Sequence, residues 1–459
     1  MEKRIPQAIF SYYKKFQEAG CQIYFVGGCV RNLLMEREIK DWDLTTNATP
    51  QQILELFPEG FYDNTFGTVG IPLDENGSKH VLEVTTFRTE QGYTDRRRPD
   101  TVTWGTSIEE DLQRRDFTIN AIALRLASFA QGKPSGFELV DPYGGQEDMK
   151  KKIIRAVGDP KKRFKEDALR LLRAVRFATE LAFVIEEETW KELVADASLI
   201  QEVSDERIQR ELLRILTSEF PYDGIMLIRN ATLLEYILPE LLEGIDVSQA
   251  RPGRHHTTDV FTHNVLALKF CPSHDPVVRF ATLLHDVGKP KVQTTDKEGL
   301  VIFHNHEIVG AKIARDICDR LKFSKKDRDK IVNLIRWHMF TVDEKITDAA
   351  IRRFIRRVGV ENVEDMMDLR IGDRLGGGTQ TAESWRLKLF RKRIEEQLKP
   401  APFSINDLAI DGNDIMKELT MKPGPKIGEI LQNLFEEVDE DLSKNTREYL
   451  LKRIKTEAK

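Results

Sequence analysis

The sequence is poor in cysteine, has no long apolar run and carries no excess of positive charge. The four cysteines, Cys21, Cys29, Cys271 and Cys318, form no C-x-x-C pair, so neither a disulfide framework nor a thiolate zinc site is indicated. No apolar run reaches the roughly 18 residues that a membrane span needs, and the N-terminal segment lacks the apolar core of a signal peptide. We therefore expect a cytoplasmic protein that binds no membrane.

What the sequence does contain is the composition of a globular protein with enough apolar residues for several cores. Of its 459 residues, 40% are hydrophobic and 32% are charged. A chain of this length predicts roughly two to four domains. The net charge is −5, so the whole chain is not a general polyanion binder. Any nucleic acid would have to be bound by local basic patches.

The most informative stretch contains a glycine pair and, further on, two aspartates. The apolar run Ile23–Val26 predicts a strand, and Gly27-Gly28 predicts a tight turn before a short helix. A glycine pair lets backbone N–H groups approach a phosphate closely, and the helix N-terminus adds partial positive charge. Arg31 lies on the first turn of that helix, where it could bind the same phosphate.

The two aspartates, Asp41 and Asp43, form an Asp-x-Asp pattern that we expect on a second strand. Because alternate residues of a strand point to one face, the two carboxylates should converge. Mg²⁺ would relieve their mutual repulsion, since it prefers hard oxygen ligands and commonly binds carboxylates together with substrate phosphates. Glu83, in a later strand, is either a third carboxylate for the metal or an ordinary exposed strand residue, and the sequence favours neither.

Two arginine-rich segments precede the helical part of the chain. Residues 88–107 include Arg96–Arg98 and lack a helical or strand period, so they are either a solvated loop or a mobile element beside the active site. Ser107 predicts the start of a helix that carries Arg114-Arg115-Asp116. Arg115 could bind a triphosphate oxygen, and Asp116 could bind a ribose hydroxyl or orient an arginine. The alternative is a surface ion cluster.

The segment 163–183 predicts one continuous helix with a polar face. Asp167 and Arg170 would share that face, and Arg173 and Arg176 would continue it. Cytosine and adenine both present an amino donor beside a ring-nitrogen acceptor, whereas uracil and guanine present the reverse order. An aspartate and an arginine held side by side would therefore select C and A without a template. The alternative is a solvated face with a weak ion pair.

Taken together, these motifs resemble those of the class II tRNA nucleotidyltransferases, the family of CCA-adding enzymes and bacterial poly(A) polymerases. The resemblance covers residues 20–220 and rests on Gly27-Gly28-x-x-Arg31, Asp41-x-Asp43, Arg114-Arg115-Asp116, Asp141-x-x-Gly144-Gly145, Glu166-Asp167-x-x-Arg170, and Glu206-Arg207 with Glu211. It implies an α+β fold: a small polymerase-beta-like nucleotidyltransferase head with a mixed sheet (1–150), then largely α-helical neck (151–225), body (226–395) and tail (396–459) domains.

The resemblance also implies roles for individual residues. Asp41 and Asp43 would bind two Mg²⁺ ions and, with Arg115 and Asp116, would form the catalytic group. Within the nucleotide site, Asp167 and Arg170 would read the base. The full nucleotide-binding set would be Gly27, Gly28, Arg31, Arg115, Asp167, Arg170, Arg173 and Arg176. Asn32 departs from the aspartate that is usual in the family, and we expect it to orient Arg31 or the turn.

The second half of the chain has a histidine-rich pattern. All histidines except His80 fall between His255 and His338. An adjacent His-Asp pair on a helix can hold one divalent metal when an earlier His and a later Asp close the site. This pattern resembles an HD-domain metal site, at about 255–375, with His263, His285, Asp286 and Asp373 as ligands. HD domains hydrolyse phosphate esters; the alternative is a structural relic that helps to hold tRNA.

The C-terminal part, after a predicted linker at 399–402, resembles the tail of the same family. Gly424-Pro425 predicts a helix N-terminus that faces an RNA phosphate. Four arginines share one side of a short predicted helix, where they form either an RNA backbone-contact patch or a solvated face. They are Arg352, Arg353, Arg356 and Arg357.

The activity implied by the resemblance is template-independent addition of CCA to the 3′ end of tRNA from CTP and ATP, with release of pyrophosphate. The partners would be tRNA, held at its 3′ end and elbow, and the two nucleotides. Alternatives within the family add only CC, only A, or poly(A). Alternatives from other classes are an HD phosphohydrolase with an RNA-binding head and a non-catalytic tRNA-binding protein. The intact carboxylate pair argues against both of these.

Overall fold

The computed structural model describes residues 5–62, 67–75, 78–91, 101–105, 107–130, 133–249, 258–398 and 404–457. Two predicted features lie outside these ranges, namely Arg96–Arg98 and the linker at 399–402. The chain forms two compact units, Met1–Leu242 with Ile317–Phe323 and Glu243–Asp316 with Ser324–Lys459. The finer division into head, neck, body and tail stays a prediction.

The first unit carries most of the strands. They are β1 (Ile23–Val26), β2 (Asp43–Thr46), β3 (Phe61–Tyr62), β4 (Thr68–Glu75), β5 (Ser78–Thr86), β6 (Arg88–Gln91), β7 (Thr101–Trp104), β8 (Ala123–Ala130), β9 (Lys133–Val140), β10 (Ile153–Ile154) and β11 (Val184–Ile185). The α-helices in the segment Met1–Leu242 of this unit are α1 (Gln7–Glu18), α2 (Gly28–Leu34), α3 (Pro50–Leu56), α4 (Ile108–Gln113), α5 (Gly145–Lys151), α6 (Pro160–Glu166), α7 (Leu169–Leu181), α8 (Glu187–Ala195), α9 (Asp205–Leu216), α10 (Pro221–Asn230), α11 (Leu234–Ile237) and α12 (Pro239–Leu242).

The rest of the chain is mainly helical and contains two short strands, β12 (Thr294–Thr295) and β13 (Val301–Ile302). Its helices are α13 (Val260–Phe270), α14 (Pro276–Leu284), α15 (Lys289–Val292), α16 (His306–Arg320), α17 (Lys325–Trp337), α18 (Asp348–Val358), α19 (Val363–Gly376), α20 (Trp385–Leu398), α21 (Gly412–Leu419), α22 (Pro425–Glu440) and α23 (Arg447–Glu457). This α+β architecture confirms the predicted fold class.

The sheet of the first unit has the strand order β3-β4-β5-β2-β1-β8-β9. It is mixed, because β2 and β5 run parallel while β1 pairs antiparallel with both β2 and β8. The four residues of β1 are all buried, as expected of a central strand covered on both faces. Because β1 and β2 are antiparallel, the end of β1 and the start of β2 lie at the same edge of the sheet.

Helix α1 packs one face against this sheet, because its apolar residues recur at helical spacing. Ile9, Tyr13 and Phe16 are fully buried. The Tyr13 hydroxyl donates to the carbonyl of Ile23 at 2.6 Å and accepts from the backbone N–H of Leu126 at 2.9 Å. A buried tyrosine needs such partners, and these two tie α1 to β1 and β8.

The predicted helix start at Ser107 is confirmed, and another helix begins at Thr49-Pro50. Thr49 forms a capping box with Gln52, and Pro50 is the first residue of α3, a position where a missing N–H costs no intrahelical bond. The Ser107 side chain accepts from the backbone N–H of Glu110 at the start of α4. Residues 88–107, predicted to lack regular structure, instead begin and end in β6 and β7, which pair antiparallel.

Two predicted elements have different bounds in the structure. Strand β2 begins at Asp43, so Asp41 precedes the strand that was expected to carry both aspartates. The prediction of one continuous helix over 163–183 is wrong, because α6 ends at Glu166 and Asp167 has extended backbone with φ −146°. The Asp167 side chain accepts from the N–H of Leu169 at 3.1 Å, and this local bond competes with helix continuation.

In the second unit, α18 and α22 are joined by a buried ion cluster. Asp439 is 1% exposed and accepts from Arg352 Nε at 2.7 Å and from Arg356 Nη2 at 2.6 Å. These bonds give Arg352 and Arg356 a buried partner that was not predicted. Arg356 and Arg357 are nevertheless exposed, and an RNA contact of the patch stays a prediction. Burial alone would raise the pKa of Asp439, but the hydrogen bonds from Arg356 and Arg352 outweigh it and lower that pKa.

No helix in the described ranges combines the length and apolar character that crossing a membrane requires.

We expect the Asp439→Asn variant to be destabilised by about 3 kcal/mol at neutral pH, because removal of one partner leaves buried charge uncompensated. Glu440→Gln is the matched control, since Glu440 is 68% exposed beside Arg353 and surface changes cost about 0.5 kcal/mol or less. The contribution of a carboxyl with a lowered pKa is present at neutral pH and is lost as the pH falls through its folded-state pKa. Urea unfolding from neutral to acid pH checks this, and equal stability of the two variants would refute it.

Candidate active site and histidine cluster

A cavity of about 610 Å³ opens in the first unit beside the start of α2. It is lined by most of the residues predicted to act on the nucleotide, which come from the β1–α2 turn, the start of β2, the end of α4 and α7. They are Gly27, Gly28, Arg31, Asp41, Asp43, Arg115, Asp116, Arg173 and Arg176. The fold thus brings together motifs that are far apart in the sequence.

The glycine pair closes one wall of the cavity. Gly27 has φ +72°, and a Cβ there would lie 2.9 Å from Arg115 Nη1, so both its conformation and its close approach to Arg115 favour glycine. Gly28 differs, because the nearest atom to a Cβ there is Arg31 Nη2 at 3.8 Å. The space beside Gly28 is therefore open to a ligand.

Arg31 is buried and held by two amide side chains. Asn32 Oδ1 accepts from its Nε and Nη2 at 3.1 and 2.9 Å, and Asn120 Oδ1 accepts from its Nη1 at 2.7 Å. The prediction that Asn32 orients Arg31 is confirmed, and Asn120 is a partner that the sequence analysis missed. Burial and the nearby Arg176 lower the pKa of Arg31 to about 10.

Asp116 is a buried carboxylate that orients an arginine, which is one of the two roles predicted for it. Its Oδ2 accepts from Arg173 Nε at 2.9 Å, and its Oδ1 accepts from Asn120 Nδ2 at 3.0 Å. Burial would raise the pKa of Asp116, but Arg173 holds it well below its usual value. The carboxylate is therefore charged at any physiological pH.

An aromatic ring that sequence reasoning missed lies among three arginines. The Phe177 ring centroid is 5.1 Å from the guanidinium carbon of Arg31, 5.3 Å from that of Arg173 and 3.9 Å from that of Arg176. Cation–π attraction can hold the three guanidinium groups near the Phe177 ring without neutralising their charge. The available signal was an aromatic residue directly after the second of two arginines spaced three positions apart.

The two aspartates line the same cavity although only Asp43 lies in a strand. Burial raises the pKa of Asp43, Arg115 opposes that rise, and the neighbouring Asp41 adds to it. Glu83 faces Asp43 across the parallel β2–β5 pair, which puts the two side chains on one face of the sheet. These carboxylates are the hard oxygen donors that fit Mg²⁺.

Asp167 and Arg170 do not share a helical face, contrary to the prediction, and each side chain has other partners. Both oxygens of Asp167 accept from Arg207, at 3.1 and 2.7 Å. Arg170 donates to Glu166 Oε2 at 2.6 Å and to the backbone carbonyl of Arg114 at 3.0 Å. Neither is among the described residues that line the cavity. The break between α6 and α7 separates the two, because it removes Asp167 from the face of α7.

In the second unit, the four predicted metal ligands converge at a buried point. His263 Nε2 lies 3.3 Å from Asp286 Oδ2 and 3.2 Å from Asp373 Oδ1, and it lies 3.1 Å from His285 Nε2. His285 Nε2 is 3.3 Å from Asp286 Oδ2. Imidazole nitrogens and carboxylate oxygens at this spacing form a donor set for a divalent transition metal.

A second cluster shares Asp286 with the first and was not predicted as a ligand set. Asp286 Oδ1 lies 3.2 Å from His306 Nε2 and 3.6 Å from His338 Nε2, and the two ring nitrogens are 3.3 Å apart. His306 and His338 were visible in the sequence, but their partner Asp286 was already assigned to one metal. The sequence signal for a second site was that this region contains more histidines than one metal site requires.

Backbone carbonyls fix the orientation of three histidine rings. Nδ1 lies 2.8 Å from the Thr282 carbonyl in His285, 2.8 Å from the Phe303 carbonyl in His306 and 2.7 Å from the Ile335 carbonyl in His338. If each Nδ1–H donates to its carbonyl, the lone pairs of all three Nε2 atoms face the clusters, as in metal-bound histidines. Burial lowers the pKa of His338, which favours the neutral ring that binds metals.

Comparison with protein families matches three parts of the chain. The Poly A polymerase head domain matches residues 23–155, the probable RNA and SrmB-binding site of polymerase A matches 182–244, and the HD domain matches 264–382. Each match falls where the sequence motifs of the corresponding part were found.

Individual relatives differ in how much of the chain they cover. A CCA-adding enzyme of Geobacillus sp. is 44% identical over 50% of this chain and 54% of that protein. An A-adding tRNA nucleotidyltransferase of Deinococcus radiodurans is 37% identical over 90% of each chain. A crystal structure of the Bacillus stearothermophilus CCA-adding enzyme in complex with CTP is 25% identical and matches 98% of both chains with a TM-score of 0.70.

The chain therefore spans about half the length of the first CCA-adding relative and nine tenths of the A-adding one. The relative that is matched over 90% of its length, the head-domain match at 23–155 and the structural neighbour agree with the motifs that line the cavity. The chain belongs to the tRNA nucleotidyltransferase family.

Proposed function

We propose that this protein adds nucleotides to the 3′ end of tRNA without a nucleic-acid template, using CTP and ATP to build CCA. The observation that carries the proposal is the cavity in which a carboxylate pair, a glycine pair and a set of oriented arginines meet. Phosphoryl transfer depends on positioning and on electrostatic stabilisation, and these residues can supply both.

In the proposed reaction, the tRNA 3′-hydroxyl attacks the α-phosphate of the nucleotide and pyrophosphate leaves. Arg31, Arg115 and Arg173 hold the triphosphate from their fixed positions, and the Gly27-Gly28 turn lets the backbone approach it. Asp41 and Asp43 would hold two Mg²⁺ ions. The chemistry that Mg²⁺ supplies when bound is activation of the hydroxyl and stabilisation of the leaving oxygens.

Base selection is assigned to Asp167 and Arg170, with one condition set by the geometry. Asp167 is paired with Arg207 and Arg170 with Glu166, so the base edge would have to replace these partners. In the same proposal, residues 1–150 form the head, 151–225 the neck that reads the base, 226–395 the body, and 396–459 a tail that binds the tRNA elbow.

A narrower product is favoured by one observation. The relative that covers 90% of this chain is named for adding A alone, whereas the CCA-adding relative covers about half of it. The second candidate is therefore an enzyme that adds only the final A to tRNA that already ends in CC.

Incubation of the chain with tRNA lacking CCA, and separately with tRNA ending in CC, followed by sequencing of the 3′ ends, separates the candidates. We expect CCA on both substrates; extension of the CC substrate alone would establish A addition.

Asp43→Asn should lower incorporation at least about 1,000-fold, since it weakens metal binding where charge develops. tRNA affinity is the control and should be unchanged. Full activity of Asp43→Asn would refute the metal assignment.

Gly28→Ala tests the phosphate-binding turn. A Cβ fits in the structure itself, so thermal stability should be retained, but the methyl group would occupy the space proposed for a phosphate. We expect the KM for nucleotide to rise about tenfold, which corresponds to about 1.4 kcal/mol. Gly428→Ala, in α22 with open space around its Cβ, is the control. An unchanged KM for Gly28→Ala would show that the phosphate does not approach this backbone.

We infer that the two histidine clusters would hold divalent metal, with Asp286 contributing a carboxylate oxygen to each, and that phosphate-ester hydrolysis is a second activity of the chain. The support is the inward orientation of the histidine rings and the shared carboxylate. Two ions that share a carboxylate can stabilise both the attacking and the leaving oxygen of a displacement. Lys289 Nζ, 2.5 Å from Asp286 Oδ2, helps to keep that carboxylate charged.

We expect His306→Ala to lower the amount of Mn²⁺ retained per chain, measured by elemental analysis after loading and desalting, because it removes one ligand of the second cluster. His304→Ala is the matched control, since His304 is exposed and belongs to neither cluster. His263→Ala should lower the retained metal as well. Equal metal content in wild type and His306→Ala would refute the second metal position.

A further inference from the structure

A second cavity, of about 570 Å³, lies in the second unit between the end of α19 and the start of α20. Its size is within the range of small-molecule sites. It is lined by Phe340, Thr341, Val342, Arg370, Arg374, Ser384, Trp385, Arg386 and Leu387. Neither the motifs of the sequence nor the activity proposed above uses these residues. We define this set as the arginine–tryptophan pocket.

The pocket is positively charged. Three arginines line it, and no carboxylate is among its described lining residues. Arg370 and Arg374 lie one helical turn apart on α19, so their side chains share a face. The buried Nε of Arg374 has no hydrogen-bond partner within the part of the chain that is described. A buried, unsatisfied guanidinium nitrogen is costly unless a ligand accepts its hydrogen bond.

The other two arginines are already oriented. Arg370 donates to Asp373 Oδ2 at 3.0 Å, and Arg386 makes a long contact of 3.4 Å with the exposed Glu344. Arg370 also lies 5.4 Å from the centroid of Phe340. These contacts fix the two guanidinium groups while leaving other N–H groups to bind a phosphate, which an arginine fork does well.

An exposed aromatic ring stands at the rim of the pocket. Trp385 is 58% exposed, although an indole usually buries most of its surface. It is the first residue of α20, a helix of 14 residues, so the partial positive charge of the helix N-terminus adds to that of the arginines. Phe340, another lining residue, is held in place because it stacks on Phe390 with ring centroids 5.4 Å apart.

We propose that the arginine–tryptophan pocket binds a ribonucleoside monophosphate, with the phosphate on Arg370 and Arg374 and the base stacked on Trp385. An exposed indole ring beside three guanidinium groups, one of them with a buried and unpartnered Nε, matches the two parts of a nucleotide: the base and the dianionic phosphate. A mononucleotide suits a cavity of about 570 Å³ better than a continuous RNA strand, which would require an extended groove. Arg370 also connects the pocket to Asp373, a residue of the histidine cluster.

The test uses the full chain labelled with 5-fluorotryptophan, in which Trp385→Phe identifies the ¹⁹F resonance of Trp385. We expect AMP to shift that resonance saturably. Arg374→Met should weaken AMP binding at least tenfold, whereas Arg353→Met, an arginine on α18 that does not line the pocket, should bind as wild type does. Addition of nucleotides to tRNA should be unchanged in Arg374→Met, so failure of this proposal is distinguishable from failure of the proposed function.

Several outcomes would overturn the proposal. One is a Trp385 resonance that does not move at AMP concentrations up to about 10 mM, which would reveal even a millimolar Kd. A second is equal AMP affinity of Arg374→Met and wild type. If inorganic phosphate binds as tightly as AMP, the base is not recognised and the pocket is a simple anion site. If tRNA shifts the resonance and AMP does not, the pocket is an RNA contact.

Discussion

The candidate active site depends on one buried carboxylate, that of Asp116. It accepts hydrogen bonds from Arg173 on one oxygen and from Asn120 on the other, and Asn120 in turn accepts from Arg31. A single charge therefore orients two arginines that come from distant parts of the chain. Because a buried charge is stable only when it is fully paired, the folded state requires these arginines to be where the ligand would need them.

Much of this arrangement could be predicted from the sequence. The turn at Gly27-Gly28, the start of α3 at Thr49 and the apolar face of α1 follow from local patterns, because the physical causes of these features lie within a few residues. The convergence of Asp41, Arg115 and Arg173 was predicted only through a resemblance, since no local pattern determines which loops meet at the edge of a sheet.

What could not be predicted was mostly a choice between partners. Asp167 lies three positions from Arg170, but its carboxylate binds Arg207 on another helix, because the break before α7 changes its direction. Arg352 and Arg356 were expected to face RNA or solvent, but both donate hydrogen bonds to Asp439 of α22. Asn120 and Phe177 became site residues only when the fold placed them against Arg31. Each of these outcomes depends on tertiary contacts that sequence spacing does not encode.

The charge of the chain is distributed unevenly. The cavity in the first unit is lined by seven cationic and five acidic side chains, whereas the chain as a whole has a net charge of −5. The lining therefore carries two more positive than negative side chains within a chain whose net charge is negative. Because opposite charges attract, this local excess draws an anion toward the cavity more strongly than the net charge of the chain alone would suggest.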